Sequence, residues 1–160
     1  MLRLTGTKPE GPPVLVREAA PADLATVQSL VAGSGLPLDG LSDAAVVLVA
    51  DTRGAIVGTV ALERHGDGAD TAFLLRSAAV EPAWRGRSIG AAITAAVLTH
   101  VDRVGAPVAL LTETAAAYFP RFGFADVDRA VLPTALAASA ELRGACPASA
   151  RALLRPSVPG

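Results

Sequence analysis

Val80-Glu81-Pro82-Ala83-Trp84-Arg85-Gly86-Arg87-Ser88-Ile89-Gly90 is the stretch on which the reading of this chain turns. Before it, residues 71–80 are rich in apolar and β-compatible side chains, the composition of a strand. After it, Ile89, Ile93, Val97 and Val101 recur every four residues and mark one face of a helix, which Gly105 and Pro107 should end. Gly86 and Gly90 leave the joining backbone unobstructed. Successive N–H groups of the turn and of the helix N-terminus can then point at one anion, with the positive end of the helix dipole behind them. Arg85 and Arg87 add mobile positive charge, so the segment reads as a pyrophosphate cradle.

No Gly-Lys-Ser/Thr follows, which argues against a nucleoside-triphosphate loop, and the two glycines do not make G-x-G-x-x-G. The chain of 160 residues, 51% apolar and 18% charged, suits one well-buried domain. A net charge of −1 offers no broad basic footprint for nucleic acid or a membrane surface, so anion binding must be local. Cys146, the one cysteine, cannot form an internal disulfide, and no run approaches the roughly 18 apolar residues of a membrane span. Met1-Leu2-Arg3-Leu4-Thr5 lacks a secretory apolar core, so a cytoplasmic location is the expectation. His65 falls among turn residues and His100 near a helix end, without the clustered partners that a metal site or a catalytic dyad needs, and no metal is expected.

Outward from the cradle, residues 1–13 hold Gly6, Pro9, Gly11, Pro12 and Pro13 and are expected to be a flexible tail, leaving 14–156 as the domain. Residues 14–18 read as a first strand; Pro21-Ala22-Asp23 should open a helix with Leu24, Val27, Leu30 and Val31 on one face. A loop over 33–40 follows, where Asp39 and Asp43 either attract a cationic amine or serve as caps and solvated loop residues. The β-rich runs 45–50 and 55–62, separated by Asp51-Thr52-Arg53-Gly54, predict an antiparallel hairpin, and 64–70 predicts a second turn into the strand before the cradle. Beyond the helix, Val108-Ala109-Leu110-Leu111-Thr112 predicts a buried strand parallel to 71–80, 115–121 a short helix, Phe122-Gly123-Phe124 the start of a further strand, and 133–142 another helix. The expected fold is α+β, with a mixed, mainly antiparallel central sheet flanked by helices in a single domain.

The cradle segment resembles the acetyl-CoA signature of the GCN5-related N-acetyltransferase (GNAT) superfamily, Val-x-Pro-x-x-(Arg/Gln)-x-x-Gly-x-(Gly/Ala), at every position except Ser88, where the family has glycine. Either the local φ is negative there or a serine serves as the helix N-cap. Arg121-Phe122-Gly123-Phe124 resembles the family's terminal motif, and the likeness runs over about 14–154. Leu111-Thr112-Glu113-Thr114, Tyr118-Phe119, Val127-Asp128 and Leu132-Pro133 are similar to the acetyltransferase domain of N-acetylglutamate synthases. Arg76-Ser77, Glu141 and Cys146-Pro147-Ala148-Ser149-Ala150 look like the short bacterial arsenic-resistance N-acetyltransferases.

The resemblance implies a transfer from acetyl-CoA to the primary amine of a small, amino-acid-like acceptor, with neither nucleic acid nor membrane as partner and a homodimer left open. It places acetyl-CoA against Ala78, Ala79 and Val80 along the pantetheine arm, and against Arg85, Gly86, Arg87, Ser88, Ile89, Gly90 and Ala91 at the phosphates. Arg76, Ser77 and Thr112 fall to the acceptor. For Arg76 a substrate carboxylate and a structural pair with Asp126, Asp128 or Glu141 are both open. Glu113, at the end of the strand beside the cleft, is the base candidate or a solvated carboxylate. The family's thiol-protonating tyrosine stands four residues before the Gly of Gly-Phe, and here that residue is Phe119. Tyr118 is adjacent, but one helical residue is a rotation of about 100°, so its hydroxyl should point elsewhere unless Pro120 makes the segment irregular. Cys146 is either a thiol near the acceptor or an inert buried cysteine.

Overall fold

The structure, a computed structural model, describes residues 13–158. Apart from Pro13, the expected tail lies outside the described residues. Strands β1 (Leu15–Glu18), β2 (Val46–Thr52), β3 (Ala55–His65) and β4 (Ala72–Val80) form an antiparallel meander, with helix α1 (Leu24–Gly33) between the first two. Helix α2 (Ile89–Val104) then crosses to β5 (Val108–Thr112), parallel to β4. The last strand, β7 (Arg151–Arg155), slots antiparallel between β5 and the short β6 (Ala125–Val127), giving a seven-stranded sheet in the order β1-β2-β3-β4-β5-β7-β6. Its one parallel pair makes the sheet mixed and mainly antiparallel, as expected of an α+β chain.

The two faces are filled by the alternation of strand side chains. Phe73 and Leu75 look toward α2 and pack with its Ile93, Val97 and Val101, whereas Leu74 looks the other way onto Leu132, Leu136 and Ala152. Val27 and Val31 of α1 cover Val49 and Ala61. The four-residue spacing in α2 therefore faces the core as its pattern demands, each buried Ile or Val contributing about 1.5–3 kcal/mol. Gly105, at φ 78°, ends α2 by donating its N–H to Val101 O at 3.0 Å. Arg53 and Gly54, both left-handed, make the two-residue hairpin turn, and Asp51 accepts the Gly54 N–H at 2.7 Å.

Two features position the site. Parallel pairing of β4 and β5 stops after Phe73↔Val108 and Leu74↔Ala109, so the strands part beyond it. Opposite β3 the register steps from Thr59↔Ala79 to Ala61↔Arg76, an extra residue on β4 accommodated as a bulge with Ser77 at φ 57°.

The expected helix over 115–121 is instead a turn leading into a 3-10 segment, Phe119–Phe122, because Pro120 supplies no N–H and constrains Phe119. The one over 133–142 is a 3-10 turn, Thr134–Ala138, followed by a single wide turn, Glu141–Ala145, with Gly144 at φ 122°. His65 belongs to β3 and not to the following turn; its Nε2 lies 2.7 Å from Glu63 Oε1. His100 stands edge-on to Phe73.

Candidate active site

Where β4 and β5 part, a cavity of about 680 Å³ opens along β4, from the start of α2 to a deep end walled by Arg76, Ser77, Glu141 and Cys146. Its phosphate end is built by the turn after β4. Gly86 takes φ 78° and Ser88 φ 63°, and the first intrahelical bond is Ala92 N–H to Ser88 O at 3.1 Å. The N–H groups of Ile89, Gly90 and Ala91 thus have no intrahelical acceptor, the open donors of a helix start. A side chain at Gly90 would stand 3.5 Å from Tyr118 Oη and 3.8 Å from Val80 Cγ2, which shows how close the wall of the cavity comes to this backbone. Arg85 folds back to donate to Val80 O at 3.2 Å, and the Arg87 guanidinium lies 4.8 Å over the Trp84 ring.

The deep end holds a charge network with no solvent-facing cation. The Arg76 side chain is 0% exposed. It donates to Glu63 Oε2 at 2.7 Å, to Asp39 O at 2.6 Å, to Pro37 O at 2.9 Å and, from Nε, to Ser77 Oγ at 3.1 Å; Glu141 Oε2 is the looser neighbour at 3.4 Å. Burial alone would raise Glu63, but hydrogen bonds from His65, Arg76 and Ser139 outweigh it and hold its carboxyl below the ordinary range. Glu141 goes the other way: burial dominates and Glu63 adds repulsion, so its carboxyl sits above the ordinary range despite Arg76. Burial, with Glu141 alongside, pushes the Cys146 thiol up to about 12, which leaves a neutral thiol and no nucleophile.

A second opening of about 490 Å³ shares Leu36, Pro37, Thr112 and Cys146 with the first and adds Asp39 and Glu113, with no Lys, Arg or His among the described residues of its wall. Among the described residues no three His, Cys, Asp or Glu side chains come together to hold a metal, and no helix is long and apolar enough to cross a membrane.

The family model described as the acetyltransferase (GNAT) domain matches residues 43–126, more than half of the chain, from β2 through the cradle to β6. The chain belongs to the GNAT acetyltransferase family. No curated protein matches it. Among solved structures, N-acetylglutamate synthase from Neisseria gonorrhoeae with coenzyme A and N-acetyl-glutamate is 18% identical at a TM-score of 0.75, covering 94% of this chain. This chain spans only 36% of that protein's length. Rv2747 of Mycobacterium tuberculosis, solved with CoA, is 23% identical at a TM-score of 0.72, over 90% of this chain and 99% of that one. Arabidopsis thaliana Naa50, solved with a bisubstrate analogue, is 17% identical at a TM-score of 0.69, over 89% and 97%. At these identities the likeness is one of fold.

In this GNAT domain, Ala78, Ala79, Val80, Arg85, Gly86, Ser88, Ile89, Gly90 and Ala91 line the one cavity together with Arg76, Ser77 and Thr112; Arg87 stands beside it on Trp84. At Ser88 the structure departs from both expectations, and at Glu113 and Tyr118 it takes one of the alternatives left open. Ser88 occupies the N-cap position, but at positive φ and with no side-chain cap bond, so it takes glycine's conformation and does not act as a capping serine. Glu113 is exposed, outside the main cavity, and accepts from Ser149 Oγ at 3.4 Å, because Thr112 Oγ1 accepts the Ala115 N–H at 2.9 Å and turns the chain at that point. Tyr118 does line the cavity, since the irregular segment around Pro120 brings its ring in while Phe119 goes into the core. Its hydroxyl lies beside Gly90. Arg76 takes the structural alternative, with Glu141 as one of the partners foreseen and Glu63 as the unforeseen one; Asp126 pairs with Arg151, and Asp128 caps Ala130. A carboxylate close behind the apolar run of β3, Glu63 two residues before the strand's end, was the available signal for that buried network.

Proposed function

We propose that this GNAT domain transfers the acetyl group of acetyl-CoA directly to the primary amine of a small, amino-acid-like acceptor, both bound at once. The observation that carries this reading is the continuity of one cavity from the open N–H groups of α2, along the freed edge of β4, to the buried acidic end. The cradle would hold the pyrophosphate, with Arg85 and Arg87 as auxiliary charge. Backbone at Ala78, Ala79 and Val80 would line the pantetheine arm and offer an N–H to the thioester carbonyl; losing such a donor costs about 10²–10³ in rate where it has been tested. The remaining requirements are proximity and a route for protons.

The narrower reading, an amino acid or an amino-acid-like toxicant such as an arsenic-containing glutamate mimic, rests on Arg76-Ser77, Glu141 and Cys146. These residues, far apart in the chain, carried the resemblance to arsenic-resistance enzymes, and they wall the same end of the cavity. The solved relative with coenzyme A and N-acetyl-glutamate supports an amino-acid acceptor. The test is thiol release from acetyl-CoA across the amino acids and their arsenic- and phosphorus-containing analogues, with peptide N-termini and an aminoglycoside as further arms. Saturable acetyl-CoA binding without turnover on any amine would instead make the domain a non-catalytic acyl-CoA-binding module.

A further inference from the structure

Two carboxylates, Glu63 and Glu141, share one guanidinium at the deep end of the cavity, and they share it unequally. Glu63 takes the short bond from Arg76 Nη1 and is held again by His65. The Nε–H that faces Glu141 is given to Ser77 Oγ, which leaves Glu141 at 3.4 Å, outside the range of a short charge-assisted bond. Glu141 is therefore the less tightly held carboxylate of the cluster, with the Cys146 thiol as its other partner, 3% exposed and set in the wall of the cavity. The groups facing it are Arg76 and Ser77 from β4, Glu63 from β3 with His65 behind it, and Cys146, with Arg129 beyond, from the C-terminal segment.

We propose that Glu141 is the general base of the transfer. This rests on the acetyltransferase reading above and names the group that reading left open. An amine acceptor reaches the site as an ammonium, and the second opening, with Asp39 and Glu113 and no basic residue among the described residues of its wall, favours entry of a cation. One ammonium proton passes to the Glu141 carboxylate and leaves to bulk water after turnover. The nitrogen lone pair then forms the N–C bond to the acetyl carbon, the C–S bond breaks with its electron pair going to sulfur, and the second nitrogen proton reaches that sulfur through water. Amide, free thiol and one released proton balance the reaction. Glu141 suits the task because it stands in the cavity wall and its carboxyl sits above the ordinary range, closer to working pH, whereas Glu113 is exposed and outside the main cavity.

The first test needs no acceptor. In the full chain labelled with ¹³C-glutamate, the carboxyl resonance absent from Glu141→Gln should titrate above the ordinary value of about 4.3. Titration at or below that value overturns the proposal. The kinetic test uses acetyl-CoA and the fastest amino acid of the acceptor screen. Glu141→Gln should lose about 10²–10³ in kcat at pH 7 with acetyl-CoA affinity intact, and the loss should shrink towards pH 10, where the amine arrives neutral. A merely structural role would give a deficit that pH does not repair. Should Glu141→Gln fail to fold, Glu141→Asp keeps a carboxyl and should retain activity that falls as pH drops through its titration. A deficit that is constant with pH, or a greater loss in Glu113→Gln than in Glu141→Gln, overturns the assignment. Binding of acetyl-CoA with no transfer to any amine refutes the acetyltransferase reading instead, and the titration still decides the state of Glu141.

Discussion

Arg76→Met should unfold the protein at a markedly lower temperature, for reasons that can be counted in the structure. The guanidinium is fully buried and serves two carboxylates, two backbone carbonyls and a hydroxyl. Removing one partner of a buried ion pair costs about 3–5 kcal/mol, because the charge left behind is unpaired. In a chain of this size about 1 kcal/mol moves Tm by 2–4 °C, so the melting temperature should fall by roughly 6–20 °C at pH 7. The pH dependence has a definite sign. Without Arg76 the Glu63 and Glu141 carboxyls would titrate higher, folding would take up protons, and the deficit should shrink as pH is lowered from 7 to 5. The triple variant Glu63→Gln, Arg76→Met, Glu141→Gln removes all three charges and should recover much of the loss. Circular-dichroism melts at the two pH values measure all of this. If Arg76→Met melted within 2 °C of the parent chain while its KM for an amino acid rose more than about a hundredfold, a loss of some 2.7 kcal/mol of binding, the arginine would be a substrate clamp and the structural argument would be wrong.

Further expectations follow from the cradle and its neighbours. Ser88→Gly removes a left-handed serine worth about 1–2 kcal/mol of strain and returns about 0.5–1 kcal/mol of backbone entropy to the unfolded chain, so a small gain in stability with equal or tighter acetyl-CoA binding is expected from melts and calorimetry. Gly90→Val should fold, since its Cβ meets only ordinary contacts, yet its branched carbons would crowd the open N–H groups and abolish acetyl-CoA binding, whereas Arg85→Ala should weaken binding only modestly; calorimetry showing the reverse order would mean a side-chain clamp. Tyr118→Phe should change kcat by less than about tenfold, or 1.4 kcal/mol, because its hydroxyl stands at the cradle end; a loss of several hundredfold at unchanged acetyl-CoA affinity would make it the acid after all.

Much of this molecule was legible in its residues because the relevant physics is local. The period of Ile89, Ile93, Val97 and Val101, the Arg53-Gly54 turn and the glycines around the cradle each act within one or two turns of chain. What could not be read arises from contacts distant in sequence. The inside position of β7, between β5 and β6, depends on pairings formed only once the chain has returned from residue 127 to residue 151. The bulge at Ser77 comes from register against β3, and the fate of Arg76 from loop carbonyls 37 and 39 positions away. Helical composition over 133–142 yielded to tertiary packing, with Leu136 fully buried against the sheet by a 3-10 turn. Glu141 illustrates the same limit: nothing in its sequence neighbours says that Glu63 will take the arginine first.

The parting of β4 from β5 has a consequence for solubility as well. A strand with open N–H and C=O groups is a template for another chain, and proteins usually suppress such edges with charge, proline or a covering helix. Here the edge is created in the middle of the sheet and sunk inside a cavity hemmed by Tyr118, Trp84 and the Leu36-Pro37 loop. A slender, unbranched molecule carrying amide groups can lie along such an edge. The fold thereby opens a strand's hydrogen-bonding capacity inside a cavity in the middle of the sheet, away from the sheet's outer edges.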